Sequence, residues 1–136
     1  MPTIVRFEEI EAWKTARELT RMIYAMTEQG SFAKDYGLRN QVQRAAVSVM
    51  SNIAEGFESR TQALFLDYLG RAKASAGEVR CQLYVALDLN YVPRPTFEAS
   101  FELADKVSRQ LARFMDYLET HPQSRKVREE SAEYEI

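Results

Sequence analysis

Apolar residues recur along this chain at steps of three and four. Trp13, Ala16, Leu19, Ile23 and Met26 set the pattern over roughly Glu8 to Thr27. Val42, Ala46, Val49 and Ile53 centre a second segment, roughly Leu38 to Phe57. The third seam is the most regular, with Phe65, Leu69, Ala72, Ala76, Val79, Leu83 and Ala86. A fourth follows with Phe97, Phe101, Ala104, Val107, Leu111, Phe114 and Leu118. Such spacing places one apolar stripe on a 3.6-residue helix, and no strand-like alternation separates the four segments. Heptad-like seams predict helices packed close to parallel or antiparallel.

The connections agree. "EQGSFAKDYG" divides the first pair and carries Gly30 and Gly37. After Gly56, Ser59 and Gln62 have capping-box spacing ahead of the third helix. "NYVPRPTF" closes the third and opens the fourth, since Pro93 and Pro95 suit a first turn and not a helix interior. Short linkers favour antiparallel neighbours. The expected fold is all-α, an up-down-up-down four-helix bundle over residues 1–121. The polar, mixed-charge segment 122–136 is expected to be a disordered tail. At 1.5 Å per residue the third helix would run about 40 Å, long for a thin core, and this geometry favours lateral assembly.

The second helix carries more than its seam needs. Gln41, Ser48, Asn52 and Glu55 form a continuous polar ridge beside the stripe, while Val47, Met50, Ala54 and Phe57 widen the apolar arc on the other side. A helix apolar over so wide an arc usually meets more than two neighbours. Two arrangements suit the ridge. Ser48 and Asn52 can bond locally with Glu55 solvated, or Asn52 and Glu55 can meet the third helix or another subunit and fix register. The third helix offers small residues for such an approach, Ala72, Ser75, Ala76 and Gly77, with Ser75 and Glu78 as candidate partners.

Composition narrows the function. A net charge of -2 and a pI near 5.5 give no overall attraction to nucleic acid or anionic membrane. Arg39, Arg44, Arg60, Arg71 and Arg80 are the candidate phosphate contacts, all on the second and third helices or their junction. Acids interleave with the cations, and Glu102 to Lys106 and Asp105 to Arg109 have i,i+4 spacing, the mark of a salt-bridged surface. A closed ring would repeat a modest basic patch about one axis. No apolar run is long enough for a membrane span, and no signal-peptide pattern opens the chain, so a cytoplasmic location is expected.

Catalytic and metal chemistry find little support. A di-iron bundle site needs two Glu-x-x-His pairs, and His121 is the sole histidine, expected as a solvated helix-end residue. Nucleophilic triads fail on the same count. There is no phosphate-binding glycine loop and no zinc-ligand spacing. Cys81 stands alone and is expected to be packed or inert. No cofactor and no enzyme activity are expected.

The block "QVQRAAVSVMSNIAEGFESR" resembles the hallmark of the 23S rRNA-intervening-sequence proteins, which reads Q-x-x-R-A-x-x-S-I-P-S-N-I-A-E-G followed by Arg. Gln41, Arg44, Ala45, Ser48, Ser51, Asn52, Ile53, Ala54, Glu55, Gly56 and Arg60 match. Phe7, Trp13 and Ala16 match the family's opening element, and Ala72, Ser75 and Glu78 its A-x-G-S-x-x-E element. Met50 stands where Pro is usual, and Ala74 where Gly is usual. The resemblance implies a four-helix bundle related to the accessory variability determinant of diversity-generating retroelements, which works with a reverse transcriptase and binds nucleic acid. It also implies assembly into a ring, with a homopentamer favoured. On this basis the expected function is a non-enzymatic, homo-oligomeric interaction module binding RNA or a nucleic-acid-processing partner. The alternatives are a purely protein-binding ring, or a small-molecule-binding protein using Asn52, Glu55, Ser75 and Glu78 as a buried cluster.

Overall fold

The computed structural model describes residues 3–121, and the expected tail, 122–136, lies outside them. Its regular elements are a short 3-10 helix, Phe7–Glu9, then α1 (Glu11–Thr27), α2 (Gly30–Lys34), α3 (Tyr36–Glu58), α4 (Gln62–Asp88) and α5 (Arg94–Thr120). The four long helices form a bundle in which α1 touches α3 and α5, and α4 touches the same two. The apolar stripes read from the sequence line its core. Ala16, Leu19, Ile23, Val42, Ala46, Val49, Ile53, Phe65, Leu69, Val79, Leu83, Val107, Leu111 and Leu118 are buried. Trp13 and Phe114 pack on the core from half-buried positions.

Several boundaries differ from the expectation, each for a local reason. The first α-helix starts at Glu11, because Ile10 is extended at φ -73° and ψ 122° and ends the 3-10 turn before it. The segment between α1 and α3 is not all linker. It holds α2, which seals Phe32 fully into the core against Tyr91, with ring centroids 5.3 Å apart. The expected Ser59–Gln62 box is not used. Thr61 caps α4, its hydroxyl accepting from Leu64 N at 3.1 Å, while Ser59 closes α3 by donating to the Gly56 carbonyl. Gln62 reaches across the bundle instead, its Nε2 donating to the Leu118 carbonyl at 2.9 Å.

α4 ends in a Schellman turn. Tyr91 N bonds the Ala86 carbonyl at 2.9 Å and Asn90 N bonds that of Leu87 at 3.0 Å. The turn puts Asn90 at φ 60°, a left-handed conformation that Asn tolerates better than most residues. Pro93 and Pro95 then flank the start of α5, as expected. This turn is tied to the start of α3 through Asp35. Its Oδ1 caps α3 by accepting from Leu38 N at 3.1 Å, and its Oδ2 accepts from the Tyr91 hydroxyl at 2.9 Å.

α3 and α4 approach closely at Gly56. A Cβ there would come within 2.7 Å of the Tyr68 Cβ and 3.1 Å of a Phe65 ring carbon. Gly56 therefore lies inside α3 as a contact residue and not at its end. Gly77, expected to serve close packing on α4, meets only the far end of Arg80 at 3.8 Å.

Candidate functional site

The polar ridge of α3 faces outward between α1 and α4. Ser48 and Ser75 bridge the two helices, their hydroxyl oxygens 3.0 Å apart with either able to donate. Asn52 Nδ2 donates to the Ser48 carbonyl at 2.8 Å and to the Ser48 Oγ at 2.9 Å. The cross-helix contact is thus made by the serine pair, and Asn52 serves its own helix by holding Ser48 in place. This corrects the arrangement in which Asn52 and Glu55 fix register against the third helix. Glu55 and Glu78 are exposed, as is Gln41, and among the described residues none of these three has a hydrogen bond or ion pair. Asn52, Glu55, Ser75 and Glu78 do not form a buried cluster, because of the four only Ser75 is buried.

Two shallow grooves flank the outer face of α3. One, of about 300 Å³, lies between α3 and α4 and is lined by Gln41, Arg44, Ser48, Ser75, Glu78 and Gln82. The other, of about 550 Å³, runs past Tyr24, Asn40, Gln43, Val47, Ser51, Asn52 and Glu55. Arg44 borders both. Gln41, Ser48, Asn52, Glu55, Ser75 and Glu78 thus border one surface. A separate apolar pocket of about 470 Å³ lies between Ile4, Ile10 and Ala12 and the end of α5, and includes none of them.

The five candidate arginines divide. Arg39 donates to the Ala33 carbonyl at 3.0 Å and stacks over Tyr36 at 4.8 Å. Arg71 pairs with Asp67 at 3.0 Å and lies over Tyr68 at 5.2 Å. Arg80 pairs with Asp105 at 3.2 Å in a half-buried contact that joins α4 to α5. Arg44 and Arg60 are exposed and, among the described residues, unpaired. Of the expected surface pairs, Asp105–Arg109 forms, whereas Glu102 engages Arg109 at 3.0 Å and not Lys106. Those two acids raise the Arg109 pKa, chiefly through the Glu102 hydrogen bond.

Other polar ties hold α3 in place and escaped the sequence reading. Gln43 Nε2 donates to the Thr27 hydroxyl at 2.9 Å, and Thr27 donates to the Ile23 carbonyl at 2.7 Å. Thr20 lies 2.8 Å from the Ala16 carbonyl and 3.3 Å from that of Ala46. Hydroxyls on the α1 seam, where only apolar residues are required, were the available signal. Cys81 is exposed, not packed. His121 caps the end of α5, with its ring stacked on Tyr117 at 4.1 Å. Among the described residues, no group of three or more His, Cys, Asp or Glu could hold a metal ion, and no helix is long and apolar enough to cross a membrane.

Comparison with known proteins places this surface in context. The family model described as 23S rRNA-intervening sequence protein matches residues 8–113. A solved structure from Bacteroides thetaiotaomicron, a protein of unknown function from the S23 ribosomal protein family, has a similar fold. It is 19% identical with a TM-score of 0.71, and the match covers 77% of this chain and 95% of that one. No curated protein matches the sequence.

Proposed function

The chain belongs to the 23S rRNA-intervening sequence protein family, and on that premise we propose that it is a non-enzymatic, homo-oligomeric interaction module. Its contact surface is the outer face of α3. One observation carries this reading. Gln41, Arg44, Ser51 and Glu55 all belong to the family signature, yet they are exposed on that face and contribute nothing to the core. The core does not need these polar residues, whereas a contact surface on the outer face of α3 can use them.

The assembly we infer is a ring, with five subunits as the working number. Its subunit has the up-down-up-down order. Gly56 against Tyr68, Ser48 against Ser75, and Gln62 against Leu118 support antiparallel neighbours. The exposed Val47 and Tyr24 beside the ridge support burial by a further chain.

RNA binding by the assembled ring is a second reading, with a reverse transcriptase or a similar nucleic-acid-processing protein as the associated partner. Arg44 and Arg60 support it, because their guanidinium groups are exposed and unpaired among the described residues, and each would recur around the axis. Arg39, Arg71 and Arg80 give it less support, since each is already engaged within the chain.

Sedimentation of wild type and Ser51→Arg tests the contact surface. The variant places a long cation at the middle of the outer face, where the fold has room for it. Unchanged helicity with loss of the oligomer is expected. If the variant sediments as the wild-type oligomer, the outer face of α3 is not where subunits meet.

A further inference from the structure

The pocket between the N-terminal segment and α5 takes no part in the contact surface. Its walls are apolar, with Ile4 and Ile10 on one side and Phe114 and Tyr117 on the other. Those walls are held in place. Ile4 and Ile10 are buried. The Phe114 ring stands edge-on to Phe65 with centroids 5.8 Å apart, and the Tyr117 ring stacks on His121 at 4.1 Å. The volume of about 470 Å³ falls among those of small-molecule sites, about 300–1,000 Å³, which combine apolar walls with a few polar groups.

Four polar residues complete the lining, and they differ in what they still lack. Glu9 accepts the Arg6 backbone N–H at 3.1 Å, and Glu11 pairs with Lys14 at 3.3 Å. Arg113 is exposed and has no acid among the described residues. Gln110, about one turn earlier on α5, has its Oε1 buried with no hydrogen-bond partner among the described residues. The two acids are thus engaged, and the groups left over are a cation and a neutral acceptor.

We propose that this pocket binds an apolar carboxylate with a neutral N–H beside its carboxyl group, the chemistry of an N-acylated apolar amino acid and of the carboxyl end of a peptide. The carboxylate pairs with the Arg113 guanidinium, whose planar fork suits its two oxygens. The N–H donates to Gln110 Oε1, because the terminal torsion of a glutamine is soft and turns its amide at little cost. The apolar side chain lies against Ile4, Ile10, Phe114 and Tyr117. A free amino acid suits the site less well. Its ammonium would meet only a neutral oxygen at Gln110, and a charge taken out of water without a counter-charge is costly. A purely aliphatic ligand would leave Arg113 and Gln110 as they are. This site is separate from the outer face of α3 and stands whether or not subunits meet there.

Titration of N-acetyl-leucine into the full chain, followed by backbone amide chemical shifts, tests the proposal. Saturable shifts centred on Ile10, Ala12 and residues 110–117 are expected. No saturable shift up to about 10 mM probe, or shifts centred elsewhere on the bundle, overturns it. N-acetyl-leucinamide has the same body without the carboxylate and is expected to bind about tenfold more weakly or worse, as is N-acetyl-leucine to Arg113→Gln. Arg113 is exposed and unpaired among the described residues, so this variant is expected to keep the wild-type melting temperature. Isocaproate, which lacks the N–H, is also expected to bind more weakly than N-acetyl-leucine. Equal affinity in any of these comparisons overturns the assigned contacts. An acetylated tetrapeptide ending in leucine separates the two sources of the chemistry. Tighter binding than N-acetyl-leucine assigns the site to a peptide end, and weaker binding assigns it to a small acylated amino acid.

Discussion

Gly56→Ala adds one methyl group at a close approach between α3 and α4. The new Cβ would sit 2.7 Å from the Tyr68 Cβ, and 3.3 Å from the Phe65 carbonyl oxygen. Carbon atoms are at ease about 3.5–4.0 Å apart, so the helices must separate there by about 1 Å. Neither neighbour is a flexible tip: one is a Cβ fixed to the α4 backbone and the other is backbone itself. Overpacking of this kind costs about 1–3 kcal/mol. Ala is a better helix former than Gly by about 1 kcal/mol, which offsets part of the cost. The expected net loss is up to about 2 kcal/mol, or a fall in melting temperature of up to about 8 °C for a domain of this size.

Urea unfolding followed by circular dichroism, at one fixed protein concentration, measures this loss. Gly70→Ala is the matched control, since its Cβ would meet only a Met115 methyl at 3.9 Å. That variant is expected to gain up to about 1 kcal/mol from helix propensity. If Gly56→Ala is as stable as wild type or more so, the close approach of α3 and α4 is not the reason for the glycine.

Phe32→Ala should cost about 3–5 kcal/mol in the same assay, because the ring is fully buried under α2; a loss below about 1 kcal/mol would mean that α2 does not seal the core. Thr61→Ala should cost about 1 kcal/mol by removing the α4 cap, whereas Ser59→Ala should leave that cap intact; equal effects on the α4 N-terminus in hydrogen exchange would contradict this assignment. Tyr91 has its pKa raised above the ordinary 10.0, chiefly by its hydrogen bond to Asp35. A raised folded-state pKa stabilises the protonated phenol. The stability gap between wild type and Tyr91→Phe should therefore hold steady below pH 10.0 and shrink as pH rises through the folded-state value. A gap that stays constant through that rise would remove the hydrogen bond as its source. Arg44→Ala with Arg60→Ala should flatten the salt dependence of any RNA binding, by about 0.7–0.9 in logarithmic slope for each phosphate no longer neutralised; an unchanged slope would exclude both arginines as phosphate ligands.

The long helices were legible because each has a seam of many turns, and periodicity becomes informative only over such lengths. α2 was not, since one buried aromatic, Phe32, in a five-residue helix has no period to detect. Nothing in the α3 sequence marks Gly56 as a packing position, because glycine more often stops helices than it packs them. Its actual role depends on where Tyr68 lies, a distance that the α3 sequence does not contain. The same limit applies at the polar ridge. Helical spacing gives the direction in which Ser48, Asn52 and Glu55 point, but not their depth. A small rotation of the helix separates the shared Ser48–Ser75 bond from the solvated Glu55 carboxylate. The ion pair of Arg71 was legible, since Asp67 stands four residues before it, whereas Arg44 has Asn40 at that spacing.

Self-association is the central claim, and solution mass by light scattering over a range of salt concentrations tests it most directly. The expected result is a discrete species several times the 15.7 kDa of one chain, stable to added salt because burial of the exposed Val47 and Tyr24 does not depend on charge. A mass of 15.7 kDa under every condition would contradict the claim, and would make the outer face of α3 an ordinary solvated surface.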